Sequence, residues 1–164
     1  MSSTNSWGMR ISSLSILVVL WSHAGLAQTK PAAKGGASAD ELVIHDYILT
    51  MDKIKAYSAF SQKAQSAAQA DPALAAEMQK ISEADVSNVD KVAMIEKAPH
   101  VSAYFKNNGM TPKDFVFTPM TALTAALAMA AEDAKKQPPN YINPVNIKFV
   151  RDHKAELEKM SLIG

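Results

Sequence analysis

The chain has 164 residues, with 17 Lys plus Arg against 16 Asp plus Glu, and no cysteine. Near-neutral charge excludes a strongly basic nucleic-acid binder and an acidic scavenger of cations. Without cysteine there is no disulfide framework, so stability must come from a buried core.

Residues 1–27 read as a secretory signal peptide. Arg10 is their only charge, Leu14 to Trp21 is an apolar run, and Ala24-Gly25-Leu26-Ala27 offers small residues for cleavage after Ala27. The run is far shorter than the roughly 20 residues needed to span a bilayer. The expected location is periplasmic or secreted. Setting this segment aside leaves acidic and basic residues in balance. Residues 28–39 lack any large apolar side chain and read as a flexible linker, leaving 40–164 as a single helical domain.

Ser38 with Glu41 forms a capping-box signature for the first helical region, Leu42 to about Ala68. Thr50 offers a second start, which would make 42–49 an extended lead-in. Asp71-Pro72 restarts the pattern, with Leu74, Met78 and Ile81 on one face. Ser82 to Ser87 is polar and reads as a loop. Ser87 with Asp90 caps a stripe of Val89, Val92 and Ile95 that ends near Ala98. Pro99 opens a short helix carrying Val101, Tyr104 and Phe105, which stops at Asn107-Asn108-Gly109.

The chain is organised around Gly109-Met110-Thr111-Pro112-Lys113-Asp114-Phe115. Gly109 suits the positive φ just past a helix end. Thr111 is placed to cap the next helix, Pro112 fits its first position, and Asp114 faces the positive end of its dipole. That helix is expected from Pro112 to about Lys136, with Val116, Met120, Leu123, Leu127 and Ala130 on one apolar face, Phe115, Ala122, Ala126 and Met129 on a neighbouring one, and Thr118, Thr121 and Thr124 as a thin polar edge. Apolar over most of its circumference, it reads as a central core helix. A membrane-active role is opposed by Pro119, the threonine edge and the charged end Glu132-Asp133-Ala134-Lys135-Lys136. Pro119 should bend it.

Pro138 and Pro139 place a loop after this helix. The last helix starts at Asn143-Pro144 or at Asn146, and its stripe is Ile147, Val150, Lys154, Leu157 and Met160 or Ser161. No stretch alternates with period two. The expected fold is all-α: a small antiparallel bundle of five to six helices around residues 112–136.

Three segments carry a resemblance: Tyr47-Ile48-Leu49-Thr50-Met51-Asp52-Lys53, Gly109 to Phe115 as above, and Asn146-Ile147-Lys148-Phe149-Val150-Arg151-Asp152-His153. Together they resemble a family of small exported bacterial proteins with no assigned activity. The resemblance implies export and a helical fold, transfers no catalytic residue, and is departed from at Pro119.

Catalytic patterns are missing from the sequence. His45, His100 and His153 form neither His-x-x-x-His nor His-x-x-Glu-His, so they make no local metal pair. There is no Gly-x-Ser-x-Gly elbow and no glycine-rich phosphate loop. The expected role is a non-catalytic binding or interaction module. It would offer a helix face or a shallow groove near the Pro119 bend, lined by Phe115, Phe117, Met120 and Phe149, to a protein or a small apolar ligand. The alternative is a bundle holding haem non-covalently between Met51 and His153.

Overall fold

A computed structural model of the chain describes residues 37–163. The signal-peptide reading, and most of the linker reading, fall outside the described residues. Within them the fold is all helical: α1 Ala39–Asp46, α2 Met51–Ala70, α3 Pro72–Glu83, α4 Asn88–Lys97, α5 Pro99–Asn107, α6 Pro112–Asp133, α7 Pro144–Asp152 and α8 Lys154–Lys159.

The helix starts follow local chemistry. Ser38 and Glu41 exchange both capping-box bonds, at 3.2 and 2.7 Å. Thr50, Asp71, Ser87, Thr111 and Asn143 each accept a backbone N–H of the turn they open. α8 opens at His153 with no side-chain cap bond, and α5 opens at Ala98, which has no capping group at all. The free donors of α5 are met from another helix: His100 N–H and Val101 N–H both donate to Glu77 Oε2 of α3 at 3.0 Å.

Helix ends obey the same bookkeeping. Gly109 adopts φ +67°, and Met110 N–H donates back to Phe105 C=O at 3.3 Å. Six-to-one bonds of this kind close a helix around a left-handed residue. The same closure ends α6 at Lys135 (φ 57°), with Lys136 N–H on Ala131 C=O, so the helix stops at Asp133 rather than Lys136.

Among the described residues, eight helices replace the expected five to six because two regions are broken. Residues 47–50 are not helical, so the first region divides into α1 and α2 at Thr50. At the other end, the final helix breaks at His153, which closes α7 and opens α8.

α6 is the central element and packs on α1, α2, α4 and α7. Phe115 and Phe117 lie two residues apart, about 200° around a helix, and they enter different cores. Phe117 joins Ile44, Tyr47, Leu49, Ile54, Ile147, Val150 and Leu157. Phe115 joins Phe60, Leu74, Met78, Ile95, Val101, Phe105 and Met110. Phe60, Phe105 and Phe115 form a closed triangle with centroids 4.6 to 5.4 Å apart, and Phe105 meets Phe115 edge-on. Such aromatic pairs contribute about 0.5–1.5 kcal/mol beyond their burial.

The buried face of α6 takes in Phe115, Ala122 and Met129 of the second expected apolar face but not the first expected stripe. Phe115, Phe117, Thr118, Thr121, Ala122, Ala125, Ala128 and Met129 are buried. Thr118 and Thr121, expected on a polar edge, are fully enclosed. Val116, Met120 and Leu123 are only half-buried, while Leu127 and Ala130 are exposed. Small side chains allow neighbouring backbones to approach closely, and a threonine buries without penalty when its hydroxyl is paired. Thr118 is paired in this way with Tyr47.

Candidate functional site

Two of the three segments singled out in the sequence meet at the start of α6, and the third clamps them. Tyr47 reaches from the segment between α1 and α2 and donates its phenol O–H to Asp114 Oδ1 at 2.7 Å. With that proton committed, Thr118 Oγ1, also 2.7 Å from the phenol oxygen, is the donor to Tyr47. Asp114 Oδ2 accepts from Thr111 Oγ1 at 2.7 Å. Lys53 Nζ stands 3.7 Å from Asp114 Oδ1 and 3.9 Å above the Tyr47 ring, and donates to Ile48 C=O at 3.1 Å.

Asn146 of α7, fully buried, holds the other side of this junction. Its Oδ1 accepts Leu49 N–H at 2.9 Å and its Nδ2 donates to Tyr47 C=O at 2.7 Å. An extended backbone inside a helical protein needs partners for its N–H and C=O groups, and one amide side chain supplies both. Asn143 adds a third tie, from Nδ2 to His45 C=O at 3.0 Å. The start of α7 thus lies beside residues 45–49, while Arg151 near its end bonds Glu132 and Asp133 at the end of α6. The link 134–143 therefore carries the chain back along α6 before α7 begins.

The electrostatics mark this junction as a lock. Burial drives the Tyr47 phenol far up; Thr118 works the other way, and Asp114 adds to the rise. Tyr47 therefore stays a neutral donor throughout the ordinary pH range. Burial also pushes Asp114 up, but the hydrogen bonds from Thr111 and Tyr47 and the Lys53 charge outweigh it, so Asp114 ends below the usual carboxylate range. A phenol that keeps its proton and a carboxylate with both oxygens occupied hold a structure together and offer no free base.

Of the residues expected to line a groove, Phe117, Met120 and Phe149 share one core and Phe115 enters the other. Phe115 and Phe117 are buried; Met120 and Phe149 are half-buried against the core that holds Phe117. Met51 also packs on that core, whereas the His153 ring lies 4.7 Å from Phe149 with Nδ1 3.1 Å from Glu156. The three histidines each face a different carboxylate: His45 with Asp46, His100 with Asp71 and His153 with Glu156. Among the described residues, no group of three or more His, Asp or Glu side chains is placed to hold a metal ion.

Two surface features remain. A shallow open cleft of about 320 Å³ lies between the start of α3 and α5, lined by Asp71, Leu74, Pro99, His100, Ala103, Tyr104 and Asn107. The second feature is the outward face of α6. Leu123 and Leu127, one turn apart, belong to neither core cluster, and Leu127 is 55% exposed. α6 is also long and apolar enough to cross a membrane by length and composition, although it packs on four other helices.

Asn146 and Tyr47 are the residues that sequence reasoning undervalued. Asn146 was a possible helix start, yet an amide interrupting an apolar stripe is itself a signal of buried hydrogen bonding. No protein-family model, curated protein or solved structure matches this chain.

Proposed function

We propose that this protein is an exported, non-catalytic interaction module that offers the outer face of α6 to an apolar surface of a protein partner. The single observation behind this reading is the pair of exposed Leu127 and half-buried Leu123, which join neither core, on the helix that organises the fold. A leucine on a surface is ordinary by itself. This pair continues a stripe through Met120 and Val116 that dips into the cores at its start and rises to solvent at its end. Rigid support beneath an apolar strip lowers the cost of ordering it on binding. The Tyr47–Asp114–Thr118 lock and the Asn146 clamp fix the first half of α6 and supply that support.

Burying two leucines contributes about 1.5–3 kcal/mol each at most, so the strip would serve as the apolar centre of a larger contact. Export rests on the reading of residues 1–27. The test is crosslinking and native mass spectrometry on protein purified from its own cell envelope, beside the variants Leu123→Lys and Leu127→Lys. A protein adduct that both variants lose supports the proposal. A bare monomer with no crosslinked product, or an adduct that is only a small apolar molecule, overturns it.

A further inference from the structure

The turn between α5 and α6 carries Asn108-Gly109, the one Asn-Gly pair in the chain. An asparagine followed by glycine is the pairing in which backbone nitrogen attack on the side-chain amide meets least steric resistance. Both residues are exposed, and the space where a Cβ on Gly109 would stand is empty out to 4 Å. Solvent therefore reaches the reacting groups.

The folded turn nevertheless holds those groups apart. Asn108 Nδ2 donates to Tyr104 C=O at 2.9 Å, which fixes the side chain back along α5. Its backbone N–H is shared between the carbonyls of Tyr104 and Phe105 at 3.2 Å. With ψ of 7° at Asn108, Gly109 N is turned away from the side chain and donates weakly to Lys106 C=O at 3.4 Å. Ring closure requires rotation about this ψ. That rotation would break the bond from Met110 N–H to Phe105 C=O and withdraw Met110 from the aromatic core.

We propose that Asn108 is a site of spontaneous deamidation that the fold restrains, and that its conversion releases the Met110 latch between α5 and α6. In the step, Gly109 N loses its proton to solvent base and bonds to Asn108 Cγ. The Cγ–Nδ2 bond breaks, and Nδ2 leaves as ammonia, taking up a proton. Water then opens the cyclic imide at either carbonyl, giving aspartate or isoaspartate; no oxidant or reductant is involved. Either product loses the Nδ2 donor to Tyr104 and sets a negative charge at the C-terminal end of α5, where the helix dipole opposes it. Isoaspartate also lengthens the main chain within a turn whose left-handed geometry Gly109 sets at φ +67°.

The test follows the tryptic peptide from Asn107 to Lys113, whose mass changes by the difference between an amide and an acid. The mature chain is incubated at mildly alkaline pH, folded in buffer and unfolded in urea, with synthetic peptide as a reference. The expected result is conversion in the unfolded arm at the peptide's rate and at least ~10-fold slower conversion in the folded arm, because reaction must wait for local opening. Equal rates in the two arms would overturn the restraint, and no conversion in urea would overturn the site. Asn88-Val89 and Asn146-Ile147, with β-branched successors, serve as internal controls and should stay intact. Hydrogen exchange on the isolated isoaspartate product and on Asn108→Asp should show Met110 N–H exchanging several-fold faster. Unchanged protection at Met110 in both would refute the latch.

Discussion

Removing one oxygen atom tests the lock at the head of α6. In Tyr47→Phe the ring still packs against Phe117, whose centroid is 6.4 Å away, but Asp114 loses a 2.7 Å donor and Thr118 loses its acceptor. A hydrogen bond to a charged group contributes about 1.5–3 kcal/mol, and a buried polar group left unpaired costs about 1–3 kcal/mol. Asp114 is about a third exposed and can recruit water, so its share belongs at the low end. Thr118 is fully enclosed and cannot. The expected loss is about 2–3 kcal/mol, read as a lower urea midpoint by circular dichroism at unchanged slope. Thr118→Val removes the stranded hydroxyl, so Tyr47→Phe on that background should cost at least ~1 kcal/mol less than it does alone. A single-variant loss below ~0.5 kcal/mol, or strict additivity in the cycle, would refute the assignment of Tyr47 as the bridging donor.

The lock also has a pH signature. Asp114 is held below its ordinary value, so its contribution is complete above the unfolded carboxylate value of about 3.9 and is lost as pH falls through the lower folded value. Acid titration of stability should therefore be shallower in Asp114→Asn than in the parent chain, and an identical acid limb would contradict this. Asn146→Ala strands Leu49 N–H and Tyr47 C=O in the interior and should cost on the order of 3 kcal/mol; a loss under ~1 kcal/mol in the same urea assay would show that water replaces the clamp. Glu77→Ala uncaps α5 from a distance and should lower stability by about 1 kcal/mol, with faster amide exchange at His100 and Val101 as its local readout. Gly109→Ala places a side chain at φ +67° and should cost about 1–2 kcal/mol. Lys135→Gly, at φ 57°, should not destabilise, and a loss there would mean that the Lys135 side chain contributes more than its backbone strain costs.

What the sequence made legible has a common physical origin. A capping side chain bonds a backbone N–H two or three residues away, so Ser38, Asp71, Ser87 and Thr111 announce themselves within one turn of chain. Gly109 is likewise decided locally, by the φ that only glycine adopts freely. The all-helical class follows from these signals and from apolar spacing. What stayed illegible depends on partners far away in the chain. Thr118 reads as an exposed edge until Tyr47, 71 residues earlier, supplies an acceptor for its hydroxyl. Glu77 reads as a surface charge until α5 arrives 23 residues later with an uncapped start.

The apolar stripe of α6 misleads for the same physical reason. Periodicity finds the greasiest face of a helix, and a helix with small residues has two ways to pack. Leu123 and Leu127 would demand deep holes in their neighbours, whereas Ala122, Ala125 and Ala128 let neighbours close directly onto the backbone. Dispersion favours the closer approach when polar groups on that face find partners, and Thr118 does. Thr121, equally enclosed, has no hydrogen-bond partner for its hydroxyl, so this packing carries a cost that Thr121→Val or Thr121→Ala would reveal. Thr121→Val should raise stability by as much as ~1 kcal/mol, because it deletes an unpaired buried hydroxyl while keeping the volume. Thr121→Ala should give less of that gain, since it opens a void between α6 and its neighbours. If Val destabilised the chain instead, the hydroxyl would have an interior partner, and the alanine face would owe its burial to that bond rather than to close packing.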